Sequence, residues 1–494
     1  MEIDRTWVPM KWPCGPLEIA RRTKSQSANS DAKDTLEALV QPGSLELLKG
    51  TPINCLIVDW ANGEPEDSAQ QQALKPLIQA GRRLGISFVG KIAAKDRLGT
   101  AAEAGRTAGL SAVMVGSPPA EALPLPAIVR FPRDGMAWEA ASQVFSSSDN
   151  VWPGLGLDTM HGDVAVAGPT GIPWVNSNGW FALLARELAP GKRLWLDFDP
   201  PDSSRVSHAA GYCLAIADSA AYSSRWIISP DVKLRAALLK GNPQSLSTWS
   251  KICETLAFFE NHREWEAFQP QGILAVTSDF RDQSLSGEVL NLLNRRQVQF
   301  RIVERSKYLS ASTRGLKAIL WLDREAPTAE QRSKLMEFTS RGGLLIASVY
   351  WGPAGVEPGK KDPSFRYNVY NVARGQIAVP EEPFSDPYQV AVDTHLLVSR
   401  RNDLVRLYNP GVTNCYSSFD PGHNKCLVQV LNYAEEPADS VTVWVHDHVS
   451  SARLLRPGAK GAVPVPGVAA HPGTDFDLPT VSVCCALEFE GTNL

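Results

Sequence analysis

Five aspartates stand at the ends of short apolar runs: Asp59 in CLIVDW, Asp158 in GLGLD, Asp197 and Asp199 in LWLDFD, and Asp231 in WIISPD. Cleaving a glycosidic bond takes two carboxyl groups, one to protonate the leaving oxygen and one to act as nucleophile or to activate water. Asp197, Asp199, Asp59 and Asp231 are therefore the candidate catalytic set. Asp197 and Asp199 are two positions apart, so on a strand they face one way and Phe198 the other. Either both enter a site or neither does. The competing use of a strand-end aspartate is a helix cap or a turn, and Asp231 and Asp202, each ahead of a helical pattern, suit that use best.

The stretch Pro173 to Asp202 concentrates further polar residues around a helix-then-strand pattern. Asn176 and Asn178 could exchange hydrogen bonds with sugar hydroxyls, and Trp60 and Trp180 could stack on apolar sugar faces. Together with Asp158 they form the candidate substrate-binding set. Core packing is the commoner fate of tryptophan, and Asn178-Gly179 also suits a tight turn. Lys91 and Arg130 end two further apolar runs, where they could keep carboxylates ionised, clamp an acidic sugar, or form structural ion pairs.

Metal and cofactor signatures are missing from the eight cysteines and the glycine-rich turns. No C-x-x-C pair, GxGxxG loop or GxSxG elbow occurs, so neither a metal nor a cofactor is expected. His446 and His448 share a face of a strand pattern but lack a third ligand, which favours a surface role. Cys415 and Cys426 flank a turn-rich loop and could bridge in an oxidising compartment.

The elements that must position the aspartates alternate in kind. From residue 53, short Val/Ile-rich runs alternate with amphipathic segments, the pattern of β/α repeats around a parallel sheet. The strands read as 54–59, 87–92, 112–116, 127–131, 154–158, 194–198 and 226–229, with helices over 68–84, 98–109, 136–145, 180–188 and 206–221. A (β/α)8-type barrel over 51–268 accounts for them, and parallel barrels carry their sites at the carboxyl ends of the strands. Residues 1–50 read as an irregular arm, 269–385 as a small flavodoxin-like α/β domain, and 386–494, short β-rich segments divided by turns, as an antiparallel β-sandwich. The fold class is thus multidomain α/β plus β.

Composition narrows the partners. Of 494 residues, 44% are apolar and 21% charged, and 49 basic against 53 acidic residues leave a net charge of −4. That balance supplies no electrostatic footprint for nucleic acid. No run reaches the roughly 20 apolar residues of a membrane span. The N-terminus lacks a secretory layout, so the expectation is a soluble chain, cytoplasmic as it stands or exported if a leader has been removed. Eleven of the 14 tryptophans precede residue 270, which biases the aromatic supply toward the barrel and a carbohydrate ligand.

The run KCLVQVLNYAEEPADSVTVWVHDHVSSARLLRPG, Lys425 to Gly458, resembles the closing sandwich of multidomain glycoside hydrolases. The order barrel, glutamine-amidotransferase-like domain, sandwich resembles that of β-galactosidases whose middle domain mediates trimerisation. The resemblance implies glycosidase activity, a carbohydrate substrate and a homo-oligomer formed through the middle domain. That family places an Asn-Glu pair after its fourth barrel strand and a glutamate after its seventh. The fourth and seventh strands read here end at Phe131 and Ser229, and no Asn-Glu dipeptide occurs, so those glutamates are not carried over. The alternative is a non-catalytic carbohydrate-binding or assembly protein of the same architecture.

Overall fold

The computed structural model describes residues 3–24, 30–160, 164–167, 174–200, 208–351, 366–420, 422 and 424–490. Two compact units share the chain, Met1–Gly154 with Ala189–Arg263, and Leu155–Leu188 with Glu264–Leu494.

The first unit is an eight-stranded parallel barrel. Its strands are β1 (Pro9–Lys11), β2 (Cys55–Ala61), β3 (Ser87–Ile92), β4 (Ala112–Val115), β5 (Ala127–Pro132), β6 (Val144–Ser148), β7 (Arg193–Leu196) and β8 (Arg225–Trp226), hydrogen-bonded in that order. The ring closes just past β8, where Lys11 donates its amide to the Ile228 carbonyl at 2.8 Å and Ile228 donates to Pro9 at 3.0 Å. Helices α1 (Gly15–Lys24), α2 (Ser30–Leu39), α3 (Asp67–Arg83), α4 (Leu98–Ala108), α5 (Ala209–Ala220), α6 (Val232–Leu239) and α7 (Pro243–Glu260) belong to the same unit.

Strand parity divides the barrel into an apolar floor and a polar layer. Cys55, Ile57, Val89, Ile128, Val144, Trp195 and Ile227 belong to one buried cluster. Each large member contributes roughly 1.5–3 kcal/mol by leaving water. Two residues further along each strand direction the same parity becomes polar: Asp59, Lys91, Arg130, Ser146, Asp197 and Ser229. The floor fixes the strands, and the strands carry this layer to the carboxyl end.

Three expectations about these elements need correction. Residues 1–50 are not an irregular arm: they supply β1, α1 and α2, and a three-residue strand between prolines is too short to show alternation. The helix expected over 136–145 is replaced by one short 3-10 turn, Trp138–Ala140, and the start of β6, whose sequence VFSSS hides its burial behind three serines. The run Gly154–Met160 does not join the barrel but pairs with Val164–Ala167 and Trp174–Asn176 in a separate three-stranded sheet. These changes make Arg193–Leu196 the seventh barrel strand rather than the sixth.

In the second unit, a six-stranded sheet runs in the order Phe300–Glu304, Leu274–Ser278, Ala318–Trp321, Leu344–Ile346, Gly375–Pro380, Tyr367–Val372, parallel except for its last strand. The order begins 2-1-3-4, as in flavodoxin-like sheets. The helix Gly179–Leu188, expected among the barrel helices, packs here against Ser286–Arg295 and Phe300–Glu304. A C-terminal sandwich pairs a six-stranded and a four-stranded sheet around Val428, Val430, Val443, Phe476, Leu487 and Phe489, all fully buried. Cys415 and Cys426 are not joined in a disulfide. Among the described residues no helix is long and apolar enough to cross a membrane.

Candidate active site

A cavity of about 470 Å³ opens at the carboxyl end of the barrel. Its walls include Lys11 from β1, Asp59 from β2, Lys91 from β3, Asp197 and Asp199 just past β7, and Asp231 beyond β8. Glu18, Arg21 and Arg22 of α1 and Arg235 of α6 complete it. All four candidate catalytic aspartates thus meet in one place.

Asp197 is the anchored member. Its amide donates to the Ser147 carbonyl at 2.9 Å, and its own carbonyl accepts from Asn150 Nδ2 at 3.1 Å. Arg130 Nε donates to Oδ2 at 2.8 Å, while the Lys11 ammonium lies against Oδ1. The carboxylate is 5% exposed, so these cations are what make its charge tolerable inside the protein. Lys11 also reaches Asp199 Oδ1 at 2.8 Å, which confirms that the two aspartates share a face. One ammonium holding both places their oxygens within about 6 Å of each other.

Asp199 sits at the rim, open to solvent on one side and surrounded by protein atoms on the other. Partial desolvation would raise its carboxyl, but the charge and hydrogen bond of Lys11, the Ser229 hydroxyl at 2.7 Å and nearby Arg235 hold it below the ordinary range. Asp231 is the helix cap foreseen for it: Oδ1 accepts from the Leu234 amide at 2.9 Å and Oδ2 from the Tyr212 hydroxyl at 2.9 Å. Asp59 is the least committed, with Lys91 Nζ at 3.7 Å from Oδ1.

The remaining candidates lie elsewhere. Arg130 stands behind Asp197 as its ion-pair partner. Trp60 is 1% exposed and donates its indole N–H to the Ala101 carbonyl at 2.9 Å; it has the opposite parity to Asp59 and turns outward toward α4. Asn176, Asn178 and Trp180 belong to the second unit and do not line this cavity. There Trp180 is buried over Gly287, where an added Cβ would come within 2.9 Å of the ring. Asp158 stands on the strand Gly154–Met160, and its side chain, like all of Asp202, lies outside the described residues.

Five charged lining residues escaped sequence reasoning: Lys11, Glu18, Arg21, Arg22 and Arg235. Glu18 is 1% exposed and bound by both neighbouring arginines, Arg21 and Arg22, one turn on. Burial alone would raise its carboxyl, and hydrogen bonds and charge from Arg21 and then Arg22 outweigh burial and lower it. The spacing in LEIARR, an acid followed by bases at i+3 and i+4, was a usable signal. Arg235 carried another, a charged residue inside the helical stretch LRAALL. Lys11 carried none.

Among the described residues no cluster of ligating side chains could hold a metal ion. No protein-family model matches the chain, and no curated protein matches it. Solved structures do. An α-L-fucosidase isoenzyme 2 from Paenibacillus thiaminolyticus superposes with a TM-score of 0.57 at 11% identity, covering 98% of this chain and 100% of that one. A GH42 β-galactosidase from G. stearothermophilus gives 0.58 at 9% identity, with 98% of each chain covered. A β-galactosidase from a Rahnella species gives 0.55 at 8% identity, covering 99% and 98%. Across nearly its whole length, the chain has the fold of these glycoside hydrolases.

Proposed function

We propose that the protein is a glycoside hydrolase whose barrel-mouth cavity binds the sugar, with Asp197 as the ionised carboxylate and Asp59 as the proton donor. The observation that carries this reading is the convergence of Asp59, Asp197, Asp199 and Asp231 on one cavity. Asp197, between Lys11 and Arg130, is equipped to stay charged, as a nucleophile or a base must. It also follows the seventh barrel strand, where the β-galactosidase resemblance places one of its catalytic glutamates. Asp199 is held ionised and Asp231 is spent on a helix end. Asp59, with one loose cation contact, is left to carry the proton.

The role of Asp59 is testable through the leaving group. Activated dinitrophenyl glycosides need little protonation on departure, whereas alkyl glycosides and oligosaccharides need it fully. Asp59→Asn is expected to lower turnover of the latter about 10³-fold and to spare the former. Equal loss on both substrate types sinks the assignment.

A second reading has its own observation. Asp197 and Asp199 are engaged by cations and Asp231 by a helix end, which suits a surface that binds glycosides without cleaving them. Saturable binding with no turnover of any aryl glycoside or oligosaccharide favours that reading over hydrolysis.

A further inference from the structure

We infer that the glycoside taken by the barrel-mouth cavity carries a negative charge, a carboxylate or a sulfate, and that the Arg235 guanidinium receives it. The inference rests on the cavity being the glycoside site, and it names the class of sugar.

The argument starts from the charges around the cavity. Five basic and five acidic side chains line it, and Arg130, pairing with Asp197 from behind, adds a sixth cation. Most of these charges are already matched. Lys11 and Arg130 hold Asp197, and Lys11 also holds Asp199. Arg21 and Arg22 hold Glu18, Lys91 faces Asp59, and Asp231 caps α6. Arg235 remains. It is 7% exposed and lines the cavity, yet among the described residues no carboxylate comes within ion-pair distance and its Nε has no hydrogen-bond partner.

A buried guanidinium without a contact partner carries a desolvation cost that folding alone gives no reason to retain. Burial, and after it the like charge of Arg22, pull Arg235 down to about 10, against attraction from Glu18, Asp231 and Asp199. It therefore stays protonated at neutral pH. A planar fork of N–H donors facing a cavity fits the paired oxygens of a carboxylate or sulfate, and a neutral hydroxyl would leave the charge uncompensated. The cavity volume is that of a small-molecule site.

The test is calorimetric titration of the full chain with matched phenyl glycosides. Each of several hexoses is offered as the neutral parent, the uronide and the 6-sulfate, at low ionic strength. In at least one series an acidic member is expected to bind about tenfold to a hundredfold more tightly than its parent. Whether the uronide or the sulfate wins identifies the source of the charge. Arg235→Met should bring the acidic ligand down to the affinity of the parent, and Arg235→Lys, which keeps charge but loses the fork, should fall between. Neutral parents binding with no acidic preference overturns the inference and leaves the glycoside site standing. A preference that survives Arg235→Met overturns the role of Arg235. If neither class binds, the inference and the proposed function fall together. Should Arg235→Met not fold, the comparison on the native chain alone still decides the preference.

Discussion

At the mouth of the barrel, Asp197 lies between Lys11 and Arg130 on the wall of a cavity; in the second unit, Asp323 occupies the corresponding place at the carboxyl end of an open parallel sheet. Asp323 follows the strand Ala318–Trp321 and accepts from the Ser278 hydroxyl at 3.1 Å and the Asp279 amide at 3.0 Å, with Arg305 Nε at 3.3 Å. Both regions bury a strand-end aspartate beside an arginine. In the open sheet, the strands that supply Ser278 and Asp323 are neighbours, so Ser278, Asp279 and Asp323 bond one another where they stand. In the barrel, side chains from β1, β2, β3 and β7 converge on one axis and leave a void between them. Closure of the sheet, more than the presence of carboxylates, is what turns strand ends into a site.

The largest effect that separates the two regions is on catalysis. Asp197→Asn is expected to lower kcat by about 10³-fold or more, since it removes the charge on which Lys11 and Arg130 converge. Asp323→Asn should leave kcat within about twofold. Steady-state rates on one aryl glycoside decide it, and a larger loss at Asp323 would reverse the comparison.

Stability separates them next. Glu18→Ala strips two arginines of a buried partner and should cost the first unit about 3 kcal/mol. Glu325→Ala removes a 75% exposed partner of Arg305 and should cost at most about 0.5 kcal/mol. Urea unfolding followed separately for each unit measures both, and equal costs would show that burial is not what sets their worth.

Acid should act on the two units in different windows. Glu18 and Asp199 have lowered carboxyls, so their contribution is complete above the ordinary values of 4.5 and 3.8 and is lost as pH falls below them. His395 of the second unit is pushed down to about 4, by burial first and then by Arg400 and Arg296. Its unfolded form takes up a proton near 6.5 while the folded form does not, so stability is complete above 6.5 and drains between 6.5 and about 4. The His395 contribution should therefore drain from the second unit first, by about 3 kcal/mol at pH 4. His395→Leu should flatten that slope in a thermal-melt series from pH 7 to 4, and an unchanged slope would place the titrating group elsewhere.

Much of the site was legible because chemistry and parity coincide at strand ends. Asp59, Asp197 and Asp199 stand at the ends of short apolar runs, and the capping use of Asp231 follows from the helical pattern after it. What stayed hidden had a common cause: local pattern reports that a strand exists, not which sheet it joins. GLGLD reads the same in a barrel or beside Trp174–Asn176, and the pattern around it equally groups Asn176, Asn178 and Trp180 with a cavity they do not line. β1 is too short to alternate, which hid Lys11, the cation that among the described residues ties Asp197 to Asp199.

Trp60 tests the same division on the smallest scale, because it and Asp59 are adjacent and parity sends them to opposite sides of β2. The indole fills the space left by Gly90 and Gly105, where an added Cβ would meet it at 3.2 and 3.4 Å, and its N–H is spent on Ala101. Trp60→Phe keeps most of the apolar contact and loses the hydrogen bond, so it should lower stability by about 1 kcal/mol while leaving the affinity for any glycoside unchanged. Parallel melts and titrations of the variant separate the two outcomes. A drop in affinity without a drop in stability would make Trp60 a sugar platform, and β2 would then present both of its faces to the ligand.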